Sequence, residues 1–139
     1  GKGYPDIHTC KFLHMLSIRC PKVPMYALMD FDPDGICIMK MYKYGSISRP
    51  HQKNITVPLI KWLGINLHDI SGNVVALDSL QKLSARDRKL ATNMLLRDMD
   101  FEWKQNLQFM LMLNLKAEIQ ILGGASSLGH WLDSNLLDQ

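Results

Sequence analysis

Met29-Asp30-Phe31-Asp32-Pro33-Asp34-Gly35-Ile36 is the stretch on which the reading of this chain turns. The apolar run Val23–Met29 leads into it and reads as a short buried strand, with Pro24 tolerable near its start. Asp30–Gly35 reads as a turn. Ile36–Tyr44 follows as a helix closed by Gly45. Three carboxylates at alternate positions, placed where a strand gives way to a helix, admit three readings. A calcium-binding loop of the EF-hand type would use Asp, Asp, Asp and Gly at its positions one, three, five and six, but it needs a Glu at position twelve. Met41 stands there, and the preceding segment is strand-like, so this reading is rejected. An aspartate-nucleophile phosphotransferase of the haloacid dehalogenase type also sets Asp-x-Asp at a strand end, with Asp30 attacking phosphorus and Asp32 as acid and base. That class has Thr or Val where this chain has Asp34, and no helix before the strand. The third reading is a divalent-metal site. Alternate strand residues point the same way, so Asp30 and Asp32 present their carboxylates to one side. Open α/β sheets place ligands at the carboxyl ends of their strands.

Outward from this turn, the chain reads as one α/β unit. Asp6 caps a helix over His8–Ser17 with Phe12, Leu13 and Leu16 as its apolar stripe. Asn54–Val57 reads as a second short strand and Ile60–Leu67 is ambiguous. Ser84-Ala85-Arg86-Asp87 resembles a capping box with Asp in place of Glu, opening a helix to about Arg97 with Leu90, Met94 and Leu95 on its buried face. Glu102–Leu122 is the longest periodic segment and reads as a helix, with a break near Asn114 and a cap at Gly123-Gly124. Its Met-rich stretch Phe109–Leu113 reads as core.

Composition bounds the rest. The chain has 139 residues, 47% of them apolar and 21% charged, which excludes bulk disorder and suits one domain. The net charge of +3 is too mild to argue for nucleic acid by itself. The charge is uneven, however: residues 1–53 carry eight Lys or Arg against four Asp, whereas residues 54–139 carry eight against nine acidic residues. The front part is thus basic except at Asp30, Asp32 and Asp34, an arrangement that suits a bound cation beside a polyanion, with a solvated acidic turn as the plain alternative. Cys10, Cys20 and Cys37 contain no CxxC pair and read as free thiols. The five histidines lack metal-ligand spacing. No apolar run is long enough to cross a membrane, the start is not a signal peptide, and the missing initial Met reads as a piece of a longer protein.

A wider set of residues resembles a known family. Gly1-Lys2-Gly3-Tyr4-Pro5-Asp6, Thr9, Asp30–Ile36, Tyr42-Lys43-Tyr44-Gly45-Ser46, Val57-Pro58, Trp62-Leu63-Gly64-Ile65, Asp87 and Lys116-Ala117-Glu118-Ile119-Gln120 are similar, in order, to the Toprim domain found in the A subunit of topoisomerase VI. The similarity is closest to the eukaryotic branch of that family, the meiotic proteins that make DNA double-strand breaks. It covers residues 1–122, taken as a single domain with its C-terminal helices, and leaves 123–139 as a divergent tail.

The resemblance implies a Rossmann-like fold with a mainly parallel sheet flanked by helices, its first strand missing or truncated, and a helical C-terminal part. It implies a nuclear protein that cuts both strands by tyrosine transesterification, acting as a homodimer on DNA with a topoisomerase VI B-like subunit, and without a membrane role. The nucleophilic tyrosine belongs to an upstream winged-helix domain, so no catalytic residue is assigned here. Mg²⁺ is implied at Asp30 and Asp32. The family's further Glu ligand has no counterpart, because no Glu precedes Asp30. Lys2, Tyr4 and Lys43 are assigned to the DNA side, with Lys40 as a lesser candidate beside Lys43. Cys10 and Asn106 stand where the family has Arg and Glu. A non-catalytic module that keeps the fold for DNA binding or dimer assembly is the rival reading, with a haloacid dehalogenase-like phosphatase as a distant third.

Overall fold

The computed structural model describes residues 6–45, 56–65, 80–118 and 125–137. Helix α1 spans Ile7–Arg19, and the Asp6 side chain accepts a hydrogen bond from the Thr9 N–H at its start. Its expected apolar stripe is only partly used. Leu13 packs against the core, while Phe12 is 55% exposed and no residue of α1 is fully buried. The His14 ring donates from Nδ1 to the Thr56 carbonyl at 2.8 Å, which ties α1 to the segment before the second strand.

Strand β1 (Tyr26–Met29) and strand β2 (Lys61–Gly64) pair in parallel, Tyr26 opposite Lys61 and Met29 opposite Gly64. Helix α2 (Pro33–Tyr44) connects them on the way, so β1, α2 and β2 form a βαβ unit. The second strand therefore falls in the stretch Ile60–Leu67 that periodicity left ambiguous. Thr56 and Val57, expected at the end of a strand, are irregular; residues 54 and 55 lie outside the described residues. Val57 is nonetheless buried and its N–H donates to the Tyr42 carbonyl. A run such as Ile-Thr-Val shows apolar, β-branched character, and that character serves a buried loop as well as a strand. At Gly64 a Cβ would stand 2.3 Å from the Met29 carbonyl oxygen, so β2 can lie this close to β1 only without a side chain there.

Helix α3 (Ala85–Leu95) and helix α4 (Phe101–Leu113) complete the described core. α4 ends where the sequence suggested a break: Asn114 takes the left-handed conformation with φ 56° and its N–H caps back onto Met110. Asn tolerates that geometry better than most residues. The chain then runs straight into a two-residue strand β4 (Leu115–Lys116), antiparallel to β3 (Gln81–Lys82), instead of continuing as helix. Helix α5 (Ala125–Leu137) lies in the stretch set aside as a divergent tail, and it contributes Trp131 to the core. Phe31, Ile36, Met39, Ile65, Leu107 and Met110 are fully enclosed. The Met-rich stretch is thus split: Met110 is core and Met112 is 77% exposed. Among the described residues no helix is long and apolar enough to cross a membrane.

Candidate metal centre and its charged surroundings

Phe31 is the anchor of the acidic turn. Its side chain is completely buried, and its backbone exchanges two hydrogen bonds of 2.9 Å with Ala117, one in each direction. Asp30 and Asp32 flank it. Asp32 has extended backbone, φ −152° and ψ 164°, so the alternation of β1 continues through the turn. With Phe31 facing the core, Asp30 and Asp32 both leave on the opposite side.

Asp32 is also the N-cap of α2. Its Oδ1 accepts from the Gly35 N–H, Pro33 takes the first helical position, where its missing N–H costs nothing, and the helix starts three residues earlier than the apolar pattern suggested. A Cβ on Gly35 would lie 2.7 Å from the Asp30 carbonyl oxygen and 3.0 Å from Asp32 Oδ1. Glycine is what allows the first turn of α2 to fold down onto the acidic turn. Partial burial pushes the Asp32 carboxyl up to about 6; the Gly35 N–H works against this, and the negative charges of Asp30 and Asp34 add to it. The Lys116 ammonium partly offsets the effect.

Two cations stand over this turn, and each is tied to an acid. Arg86, in the first turn of α3, grips Asp34 with both prongs, Nη1 to Oδ2 at 3.0 Å and Nη2 to Oδ1 at 3.2 Å. Lys116 donates to Asp87 Oδ2 at 2.7 Å. Asp87 is 3% exposed and completes the expected capping box, accepting from the Ser84 N–H at 2.9 Å while its own N–H donates to Ser84 Oγ at 3.0 Å. Burial works to raise the Asp87 carboxyl, but the Lys116 ammonium and Ser84 hold it below the usual carboxylate range.

Lys43 lies elsewhere, at the C-terminal end of α2. Its ammonium donates to Asp100 Oδ2 at 2.7 Å and stands 5.3 Å from the Trp103 ring centroid. The Tyr44 hydroxyl donates to the other oxygen of Asp100. Burial works to lower the Lys43 ammonium, and its bond to Asp100 more than reverses this. The lysine expected on the DNA side is thus committed to a neighbouring helix. Lys2 and Tyr4 lie outside the described residues.

Arg86, Lys116 and Asp100 are the charged groups that sequence reading did not assign to these clusters. Arg86 and Asp34 are 52 residues apart, and Lys43 and Asp100 are 57 apart, so no local spacing links either pair.

The acidic turn offers only carboxylate oxygens, the hard donors that Mg²⁺ takes, usually one or two from protein with water and phosphate making up the remainder. Carboxylates that raise one another's proton affinity are relieved by a cation, so Asp30 and Asp32 fit such an ion. Among the described residues no group of three or more His, Cys, Asp or Glu is gathered to hold a metal.

A βαβ unit with an acidic turn at the carboxyl end of its first strand, clamped by an antiparallel bridge, is the arrangement of a Toprim domain. Residues 1–131 match the family defined by the Toprim domain of Spo11 and of the topoisomerase 6 A subunit, and the chain belongs to that family. It is 39% identical over 132 residues to human "Meiotic recombination protein SPO11" and 38% over 131 residues to the mouse protein of the same name, with 91% of this chain and 33% of each relative covered. It is 35% identical over 126 residues to the A3 subunit of DNA topoisomerase 6 from indica rice, covering 88% of this chain and 28% of that protein. The chain spans about a third of the length of the curated relatives it matches.

Proposed function

We propose that this chain is the Mg²⁺-binding cleavage domain of a type IIB topoisomerase-like protein that makes meiotic DNA double-strand breaks in the nucleus. Asp30 and Asp32 would hold the ion. When bound, it would orient and neutralise phosphate oxygens of the scissile region. The chain's own residues do the preparatory work. Phe31 and Ala117 fix the spacing of the two carboxylates, Gly35 closes the turn, and Lys116 and Arg86 temper the negative charge that would otherwise repel a phosphate. The nucleophilic tyrosine would come from another region of the whole protein, so this chain alone should leave DNA uncut. The whole protein would act as a homodimer, since two strands must be broken, with a topoisomerase VI B-like subunit. On the DNA side Lys2 and Tyr4 remain the candidates; Lys43 does not, because Asp100 holds it.

The observation that carries this reading is the side-by-side placement of Asp30 and Asp32 around the buried, doubly hydrogen-bonded Phe31, in a chain of this family. It is tested by titrating Mn²⁺ into the chain and following the bound fraction by electron paramagnetic resonance. Wild type should bind saturably, and the Asp30→Asn/Asp32→Asn double variant should lose roughly tenfold or more in affinity with its far-ultraviolet spectrum intact, as expected when two close counter-charges are removed. In meiotic cells the same pair of changes in the whole protein should abolish breaks. Normal break levels in those cells would sink the assignment.

A further inference from the structure

Asp34 is the third carboxylate of the turn, and its situation differs from that of its two neighbours. It sits in the first turn of α2, and both its oxygens are engaged by the two-pronged Arg86 guanidinium. Arg86 is carried on a well-fixed element. The α3 N-terminus is closed by the Ser84–Asp87 capping box, and that box is tied to β4 through Lys116. The fork is therefore presented to Asp34 by a helix start held in place independently of the acidic turn. A planar guanidinium engaging both carboxylate oxygens fixes orientation as well as charge.

We propose that Arg86 is a positioning residue that holds Asp34 out of the cation's coordination sphere and so keeps the site a two-carboxylate site. This rests on the metal reading above. With Asp34 neutralised, Asp30 and Asp32 supply two negative charges, which match one divalent ion and leave its remaining positions to water and phosphate oxygens. If Asp34 were free to join them, the site would carry three negative charges within five residues. It would bind the bare ion more tightly and turn a phosphate away. Arg86 thus exchanges metal affinity for the capacity to accept DNA.

The experiment is a Mn²⁺ titration of four forms of the chain: wild type, Arg86→Gln, Asp34→Asn and the double variant. Thermal unfolding of each confirms that it is folded. Arg86→Gln should tighten Mn²⁺ binding by at least about threefold, the effect of a carboxylate gained within a few ångströms through a water-like dielectric. In the Asp34→Asn background the same change should alter affinity by less than about half that factor, since no carboxylate is there to be released. An equal gain in both backgrounds would show that only charge at a distance matters and would overturn the proposal. A loss of affinity on Arg86→Gln would overturn it too, by placing Arg86 in support of the ion. Saturable wild-type binding that depends on Asp30 and Asp32 but is indifferent to Arg86 refutes this inference alone. Absence of saturable wild-type binding removes the metal reading and this inference together.

Discussion

The two ends of α2 carry charge in opposite ways. At the C-terminal end, Lys43, Tyr44 and Asp100 close on one another, and every charge has its partner within a hydrogen bond. At the N-terminal end three carboxylates crowd together. Arg86 answers Asp34, and Lys116 is directed mainly to Asp87, so Asp32 is left with a raised proton affinity. Compensated charge fastens one helix to another. Charge left uncompensated on a rigid turn is what a ligand can use. The same helix therefore serves as a brace at one end and as the wall of a site at the other.

The contrast breaks most severely if the brace beneath the site is cut. Asp87 is buried, caps α3 and receives Lys116. Asp87→Ala strands the Lys116 ammonium and removes the reciprocal cap, and should cost about 3 kcal/mol in a urea unfolding experiment at neutral pH. The Asp87 carboxyl is held below its ordinary range, so its contribution is complete above the unfolded-state pKa and drains away as pH falls toward the folded one. A cost below about 1 kcal/mol, the range of exposed pairs, would mean that the pair is a surface contact after all.

Asp32 should show the reverse dependence. Its carboxyl rises from 3.8 to about 6 on folding, so between those values the folded state holds the extra proton and stability declines as pH rises. Above about 6 the metal-free fold carries the full penalty. Asp32→Asn keeps an N-cap side chain, since Asn and Asp cap comparably, and removes the buried charge. In the presence of a chelator at pH 7 it should stabilise the fold by about 1 to 3 kcal/mol, and the gain should vanish below about pH 4. Saturating Mg²⁺ should erase the advantage by stabilising the wild type. A gain of the same size at every pH would place its origin in packing instead of charge.

Local signals in the sequence reveal local features. The Ser84–Asp87 box, the turn at Asp30–Gly35 and the stop at Asn114 are each written within a few neighbouring residues, and each forms in the structure. The pairing of charges is not local. Asp100 looked like any acid before a helix, and Arg86 like an exposed residue of a helix start; only the packing of α2 against α3 and α4 brings them to Lys43 and Asp34. β3 and β4, two residues each, are too short to show alternation. β2 stood in a run where Trp62, Leu63 and Ile65 satisfy a strand or a helix face equally, and its close fit to β1 rests on Gly64, whose role depends on a neighbour far away in sequence. α1 misleads in another way. Phe12 sits at helical spacing with Leu13 and Leu16, yet only part of that face meets the core.

The mildest change tests the far end of α2. Lys43→Met keeps the aliphatic stem against Trp103 and Tyr44 while removing the ammonium that stands 5.3 Å from the Trp103 ring and bonds Asp100. Because the pair is partly open to solvent, with side-chain exposures of 22% and 30%, the cost should be only about 0.5 to 1 kcal/mol and should shrink further in high salt. The change should leave Mn²⁺ affinity where it was. Asp32 and Lys43 are separated along the helix by about 16 Å at 1.5 Å per residue, roughly twice the distance over which charge is screened at physiological ionic strength. DNA binding by the chain should likewise be unmoved, since an ammonium already bonded to Asp100 has little left to offer a phosphate. If Lys43→Met instead weakened DNA binding severalfold with the fold intact, Lys43 would have to leave Asp100 for the nucleic acid, and the C-terminal end of α2 would belong to the binding surface as well.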